Sequence, residues 1–273
     1  MTGTLENPKP PIFLGGAGRS GTTLLRVILD SHPNIACGPE LKVTPKLAQL
    51  WHEFQTAHRQ TLENYHITPL DTNDMFRGII TRLLEGYRIA AGKARIAEKS
   101  PNNVFYFQHL RVIFPDSPLI QVIRDGRDVV CSLLTMQWSD AVTGEPLDYT
   151  RDAGKAAAYW ASAIRAGRKL LEKDNSSSRY MELRYEALVT DPEPTLRSLF
   201  TFIGEQWHPE VLDYHRQKRD LAGESSAEQV SRELYTTAVS RWRKDLKPAD
   251  KPAVKDAAGD LLVELGYAGN HDW

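Results

Sequence analysis

The sequence has only two cysteines, Cys37 and Cys131, among 273 residues. Two cysteines are too few for a disulfide framework or a cysteine-rich metal cluster, so we expect two reduced thiols in a reducing compartment. Positive and negative side chains are nearly equal in number, and the formal net charge is -1. No global basic field would draw the chain to nucleic acid or an anionic membrane, and any anion-binding site must be local.

Long apolar runs are missing too. A membrane span needs roughly 18 consecutive apolar residues, and the longest run, Leu119–Ile123, contains Gln121. Residues 1–11 have neither a basic nor an apolar leader region, so the sequence predicts no signal peptide. The eight histidines show no metal-ligand spacing, and we expect no metal site. Together these absences predict a cytoplasmic protein without a membrane span and without a nucleic-acid partner.

Short apolar segments alternate with amphipathic ones along the chain. The pattern predicts strands at 12–14, 95–98, 119–123 and 179–183. It predicts helices at 22–31, 44–58, 71–92, 104–114, 126–136, 152–173, 195–203 and 253–265. Strands separated by helices are typical of βαβ units, so we expect an α/β fold with three layers, αβα, around a central, mostly parallel sheet. No linker divides the chain, which favours a single domain over 1–273.

A glycine-rich loop at residues 15–23, GGAGRSGTT, lies between the first predicted strand and helix. Such a loop directs backbone N–H groups at an anion, and the helix N-terminus adds partial positive charge. Gly16, Gly21 and Thr23 match the nucleotide P-loop G-x-x-x-x-G-K-S/T, but Thr22 replaces the lysine. That lysine serves the β- and γ-phosphates, so this loop suits one phosphate with a group attached better than a triphosphate.

Further motifs follow in order along the chain. They are RSGTTL at 19–24, LDSHP at 29–33, CGPE at 37–40, KSP at 99–101, VIRDGR at 122–127, RYEAL at 184–188, SAEQV at 226–230, SRW at 240–242 and LGY at 265–267. This set resembles the tyrosylprotein sulfotransferases and their bacterial relatives over nearly the whole chain. The resemblance implies a P-loop-containing fold and in-line transfer of a sulfuryl group from 3′-phosphoadenosine 5′-phosphosulfate (PAPS) to a hydroxyl acceptor, with adenosine 3′,5′-bisphosphate as product.

The resemblance also assigns residues to the donor. The loop residues that would wrap the 5′-phosphosulfate are Gly18, Arg19, Ser20, Gly21, Thr22 and Thr23. Arg124 and Ser132 would contact the 3′-phosphate, a dianion that favours an arginine with a hydroxyl. Tyr185 would pack near adenine, and Arg241 matches a family lysine that contacts the donor. Without the resemblance, Arg124 and Asp125 read as a surface ion pair at a turn, and Tyr185 as a cover for the sheet edge.

The implied catalytic residues are Glu40, Lys99, Ser226 and Arg19. Glu40 aligns with the family's general base, which takes the proton that the attacking hydroxyl loses. Lys99 and Ser226 would stabilise the charge that develops during transfer. Without the resemblance, Glu40 reads as a loop glutamate and Lys99 as a solvated lysine at a strand end. A histidine near the pocket is the alternative base.

Two departures from the family pattern are informative. Relatives of the secretory pathway pair a cysteine at the Cys37 position with one near Lys99, where this chain has Ala97. Met136 stands where relatives have a donor-contacting arginine. With no luminal anchor in the sequence, these departures fit a cytoplasmic bacterial-type enzyme and weaken protein tyrosine as the acceptor.

Other functions stay open at this point. A P-loop small-molecule kinase would need ATP and Mg²⁺, and a nucleotide-binding module would need neither Glu40 nor Lys99. The acceptor is a phenol, a sugar, a lipid or a peptide tyrosine, held by residues 42–92 and by the loop 216–237. The oligomeric state is open and includes a homodimer.

Overall fold

The computed structural model describes residues 9–140, 143–173, 177–217, 219, 221 and 224–273. Residues 1–8, most of the stretch in which the sequence predicts no signal peptide, lie outside the described residues. So do residues 218, 220 and 222–223, which belong to the loop predicted to hold the acceptor.

Five parallel strands form the central sheet, in the order β2-β3-β1-β4-β5. They are β1 Ile12–Gly15, β2 Ile35–Cys37, β3 Arg95–Lys99, β4 Leu119–Ile123 and β5 Tyr180–Arg184. Leu14 of β1 lies opposite Lys99 of β3 and Ile120 of β4, so β1 is the middle strand. The predicted parallel sheet is confirmed. The sequence prediction missed β2, which has only three residues and therefore too short a pattern to read.

Twelve α-helices connect and cover the strands in the described ranges. They are α1 Thr22–Asp30, α2 Thr44–Gln55, α3 Arg59–Asn64, α4 Pro69–Ala90, α5 Phe107–Ile113, α6 Gly126–Leu133, α7 Ala153–Lys173, α8 Tyr185–Thr190, α9 Pro192–Ile203, α10 Ala227–Val230, α11 Trp242–Asp245 and α12 Lys251–Glu264. Short 3-10 helices occupy Pro101–Tyr106, Asp148–Thr150, Ser177–Arg179 and Pro209–Arg216. The helix predicted at 104–114 is therefore divided, because Pro101–Tyr106 takes the tighter 3-10 form before α5 begins.

The core is divided by the sheet into two apolar clusters. Because successive strand residues point to opposite faces, Phe13 packs in one cluster and its neighbours Ile12 and Leu14 pack in the other. Helices α1, α8 and α9 cover the face with Ile12, whereas α2, α4, α5, α6, α7 and α12 contribute to the face with Phe13. This is the predicted three-layer αβα arrangement. In the part of the chain that the structure describes, no helix is both long and apolar enough to cross a membrane.

Candidate active site

A cleft of about 1060 Å³ opens where β1, β3 and β4 end. The glycine-rich loop after β1, Ser100 after β3 and Arg124 after β4 all line it. Open α/β sheets bind their ligands at this edge, outside the carboxyl ends of the strands. The sheet topology alone therefore brings together motifs that lie about a hundred residues apart in the sequence.

The glycine-rich loop adopts a conformation that requires glycine at position 21. Gly21 has φ 99°, and a Cβ atom there would lie 2.5 Å from Cδ2 of Tyr185. Arg19 also has a positive φ, 70°, which is costly for a residue with a side chain and is typical of ligand-binding loops. The backbone N–H of Gly18 donates to the hydroxyl of Tyr159 at 3.0 Å. The loop is thus shaped by close contact with two tyrosine rings.

The N-terminus of α1 lies in this cleft. Thr22 begins the helix, and no described side chain caps its first turn. The hydroxyl of Ser20 is fully buried and has no hydrogen-bond partner within the described part of the chain. Free N–H groups, an unpartnered buried hydroxyl and the helix dipole together fit an anion such as a phosphate.

Arg19, Arg124 and Ser132 form a cationic corner beside the glycine-rich loop. Arg19 Nε donates to Ser132 Oγ at 3.0 Å, and Arg124 Nη1 donates to the carbonyl oxygen of Arg19 at 3.2 Å. Burial, together with the neighbouring Arg124 charge, lowers the pKa of Arg19. Two adjacent guanidinium groups and a hydroxyl are well suited to a phosphate dianion. The predicted 3′-phosphate residues, Arg124 and Ser132, are therefore brought together with Arg19.

The alternative assignment of Arg124 to a surface ion pair with Asp125 is wrong. Asp125 pairs with Arg127 at 2.8 Å, whereas Arg124 is only 6% exposed and lies 4.6 Å above the Tyr185 ring. That ring packs against Gly21 of the loop, so Tyr185 lines the cleft directly after the edge strand β5. A cation over an aromatic face is a favourable contact that fixes both groups.

Lys99 and Glu40 form an ion pair in which Glu40 lines the cleft and Lys99 is buried behind it. Lys99 Nζ lies 3.0 Å from Glu40 Oε2. The lysine is 1% exposed, while the Glu40 side chain keeps 26% of its surface exposed. The reading of Lys99 as a solvated lysine is therefore wrong. The buried ammonium can stabilise negative charge, and the more accessible carboxylate beside it can accept a proton.

Glu224 is a part of the site that sequence reasoning missed. Its Oε2 atom lies 3.1 Å from Lys99 Nζ and accepts the hydroxyl of Thr23 at 3.0 Å. Its Oε1 atom lies 3.2 Å from Arg26 Nε, an ion pair without hydrogen-bond alignment. Burial raises the pKa of Glu224, but the charges of Lys99 and Arg26 and the hydrogen bonds from Lys99 and Thr23 together leave it below the usual value. The only signal in the sequence was its position two residues before Ser226.

Ser226 and Arg241 reach the cleft from the C-terminal segment. Arg19 Nη1 donates to Ser226 Oγ at 2.8 Å, and Arg241 lines the cleft while paired with Asp245 at 2.7 Å. Asp128 of α6 fixes this segment, because its carboxylate accepts the backbone N–H of residue 240 and of residue 242, each at 2.8 Å. Burial raises the pKa of Asp128 to about 6.

The remaining wall of the cleft includes a segment that the sequence did not single out. It contains Trp138, Tyr149 and Tyr159, and the rings of Tyr149 and Tyr159 stack at 4.3 Å. From the predicted acceptor region 42–92, the lining residues are Lys42, Pro45, Lys46 and Gln49. None of the described lining residues is a histidine, so nothing supports the alternative base.

Both cysteines are free and buried. Ala97 lies directly opposite Cys37 in the pairing of β3 with β2, the place where a partner cysteine would stand. Among the described residues, no group of three or more histidine, cysteine, aspartate or glutamate side chains could hold a metal ion.

Comparison with known proteins decides the family. Residues 10–209 match the model of the sulfotransferase family. The chain belongs to this family. Sulfuryl transfer is therefore its chemistry, as the sequence predicted, and neither the kinase nor the non-catalytic module is favoured. The family implies PAPS as the co-substrate.

The relatives of this sulfotransferase agree with that assignment. Protein-tyrosine sulfotransferase A of Caenorhabditis elegans is 29% identical over 268 residues, which cover 96% of this chain and 68% of the relative. Protein-tyrosine sulfotransferase 1 of Homo sapiens is 28% identical over 270 residues, which cover 94% of this chain and 70% of the relative. The predicted resemblance is confirmed.

Solved structures confirm the fold. The sulfotransferase domain of the Synechococcus PCC 7002 olefin synthase aligns with a TM-score of 0.65 at 21% identity, covering 94% of this chain and 96% of that one. The sulfotransferase domain from the curacin biosynthetic pathway aligns with a TM-score of 0.62 at 20% identity, covering 94% and 98%. At these identities the likeness concerns the fold alone.

Proposed function

We propose that this sulfotransferase uses PAPS without a metal ion and that Glu40 is its general base. The observation that carries the proposal is the pair of Lys99 and Glu40, 3.0 Å apart, at the mouth of a phosphate-binding loop without the P-loop lysine. The pair offers a proton acceptor and a fixed positive charge within one hydrogen bond of each other. An in-line displacement needs both on the path of the transferred group.

Glu40 takes the proton of the acceptor hydroxyl as its oxygen attacks sulfur. A new S–O bond forms to the acceptor, and the S–O bond to the phosphate breaks with its electron pair. The leaving group is adenosine 3′,5′-bisphosphate, and the proton stays on Glu40 until it passes to solvent. The exposed side of the Glu40 carboxylate supports this last step.

Lys99, Ser226 and Arg19 stabilise the charge that develops on the nonbridging oxygens and on the leaving phosphate. Lys99 is fixed by burial, and Arg19 is fixed by its bonds to Ser132 and Ser226. Hydrogen-bonding and charged groups that are already oriented cost no reorganisation when the charge develops, which is why they lower the activation barrier effectively.

The donor is held by the loop and by the cationic corner. Gly18 and the residues up to Thr23 bind the 5′-phosphosulfate, and Arg124 with Ser132 binds the 3′-phosphate. Tyr185 packs near the adenine ring, and Arg241 closes the site from the C-terminal segment. The support is that all of these residues line one cleft, except Ser20, whose buried hydroxyl lies within the same loop.

The acceptor that fits best is a phenolic hydroxyl. Trp138, Tyr149 and Tyr159 form an aromatic wall of the cleft beside Gly18, and aromatic rings stack favourably. The relatives named as protein-tyrosine sulfotransferases support the same class. We also propose a cytoplasmic location, supported by the two free, buried cysteines. The homodimer stays a prediction.

Product analysis tests this function. The protein is incubated with PAPS and a nitrophenol in EDTA, and both products are quantified by mass spectrometry. We expect aryl sulfate and adenosine 3′,5′-bisphosphate in equal amounts. Consumption of ATP in Mg²⁺ with no turnover of PAPS would instead identify a kinase.

A further inference from the structure

Glu224 is bonded to two groups that the proposed function assigns to the donor. Its Oε2 atom accepts the hydroxyl of Thr23 at 3.0 Å and lies 3.1 Å from Lys99 Nζ. The Glu224 side chain is only 6% exposed, so this is an interior contact and not a surface ion pair. A carboxylate therefore holds the hydrogen bonds that a phosphosulfate would need.

The hydrogen-bond donors of Thr23 and Lys99 already have acceptors. Thr23 has a single hydroxyl proton, and Glu224 accepts it. Lys99 has three N–H bonds, and its neighbours within 3.4 Å are Glu40, Glu224 and the Thr23 oxygen. Neither group can bind a donor oxygen unless one of these contacts is released. Glu224 is the acceptor that both groups share, so its departure frees both at once.

Electrostatic repulsion also favours the departure of the Glu224 carboxylate when a phosphosulfate binds. The phosphosulfate is an anion, and two like charges a few ångströms apart repel strongly in a buried site. Arg26 gives the carboxylate a place to remain, because its Nε atom lies 3.2 Å from Glu224 Oε1 and its side chain is 1% exposed. Glu224 can thus leave Thr23 and Lys99 while staying paired with Arg26.

The segment that carries Glu224 has its own attachment to the loop. Arg19 Nη1 donates to Ser225 Oγ and to Ser226 Oγ, each at 2.8 Å. The two serines hold residues 225–226 over the glycine-rich loop independently of the Glu224 carboxylate. A rotation of the Glu224 side chain therefore does not require the segment to leave the site.

We propose that Glu224 is a positioning residue that exchanges with the donor: its carboxylate orients Thr23 and Lys99 and yields both hydrogen bonds to the phosphosulfate. This inference rests on the proposed function. Under this proposal Glu224 weakens donor binding, because the donor can bind only after the contacts of Glu224 with Thr23 and Lys99 are broken. A residue that merely stabilised the fold would have no such effect.

Titration calorimetry with adenosine 3′,5′-bisphosphate in EDTA tests the exchange. Glu224→Gln keeps the size of the side chain but removes its charge, and we expect about tenfold tighter binding, or about 1.4 kcal/mol. Glu224→Asp keeps the charge and should bind like the wild type. Glu228→Gln is the matched control, because Glu228 lies four residues on and pairs with Arg232 at the surface. It should leave binding unchanged.

Equal or weaker binding by a folded Glu224→Gln variant overturns the exchange. Absence of bisphosphate binding by the wild type overturns the proposed function itself, so the two failures are distinguishable. Glu224→Gln also leaves Arg26 without its carboxylate partner among the described residues, which threatens folding.

A crystal structure of the wild-type complex with the bisphosphate therefore provides a second test. The exchange predicts a distance from Glu224 to the Thr23 hydroxyl beyond about 3.6 Å, too long for a hydrogen bond. An unchanged distance of 3.0 Å overturns the proposal.

Discussion

The two halves of the cleft are built differently. The donor half consists of the loop after β1 and of residues at or just beyond the ends of β3 and β4, and its key side chains are buried: Lys99 is 1% exposed and Arg124 is 6% exposed. Residues 224–241, which include the four-residue helix α10, reach over this donor half with Glu224, Ser226 and Arg241. The opposite half consists of residues 137–140, Leu147 and Tyr149. Trp138 there is half-buried and Ser139 is exposed.

This difference suits one half of the cleft to binding the donor and the other half to selecting the acceptor. Groups held by the ends of packed strands keep their geometry closely, which a donor with two charged groups requires. Loops tolerate changes of sequence at little cost to the core, which suits the choice of an acceptor. We therefore expect substitutions in the donor half to affect donor binding or folding. Substitution of Glu40, which lies between the halves, should affect turnover.

The largest effect is expected at Glu40. Glu40→Gln keeps the shape of the side chain but cannot take a proton, and loss of a general base costs about 10²–10⁴ in rate. We expect kcat to fall by that factor while the affinity for adenosine 3′,5′-bisphosphate is nearly unchanged. Steady-state kinetics and calorimetry measure the two quantities. Glu193→Gln, which changes an exposed carboxylate on α9, is the control.

Arg124→Ala should separate donor binding from folding. A hydrogen bond to a charged group contributes roughly 1.5–3 kcal/mol, so bisphosphate affinity should fall about 10- to 100-fold. Arg165→Ala, an exposed arginine on α7, should bind normally. Unchanged affinity in folded Arg124→Ala would remove this residue from the donor half.

Gly21→Ala tests how tightly the loop is packed. The positive φ of Gly21 and the 2.5 Å approach of its Cβ position to Tyr185 both oppose a side chain. We expect a loss of about 3 kcal/mol in the free energy of unfolding by denaturant titration. Gly78→Ala, where a Cβ meets no described atom within 4 Å, should be neutral or gain about 0.5–1 kcal/mol. Equal effects would mean that the loop is not constrained.

Glu98 should make stability depend on pH. Burial raises the pKa of Glu98 from 4.5 to about 7, although Ser100 and Asn103 donate to its carboxylate. The folded chain therefore binds this proton more tightly than the unfolded chain, and stability falls as pH rises from 4.5 to 7. Glu98→Gln resembles the protonated form. Between pH 5 and pH 8 the variant should gain on the order of 2 kcal/mol relative to the wild type. A constant difference would contradict the shifted pKa.

The sequence predicted the strands and the loop that build the donor half. Residues 15–23 carry their chemistry in consecutive positions, and β4 is an apolar run interrupted only by Gln121, so local patterns were enough. Glu224 was missed because its role comes from contacts with Thr23 and Lys99, 201 and 125 residues away. Trp138 and Tyr149 were missed because isolated aromatic residues look like core residues in a sequence.

The most direct test of the account compares Glu40→Gln with Lys99→Ala over acceptors of graded acidity. An acceptor with a low pKa needs little help from a base, but negative charge on the leaving phosphate must be stabilised whichever acceptor reacts. We therefore predict that a nitrophenol partly restores kcat in Glu40→Gln and not in Lys99→Ala. Near-full turnover of a poorly acidic alcohol by Glu40→Gln would contradict the assignment of Glu40 as the base.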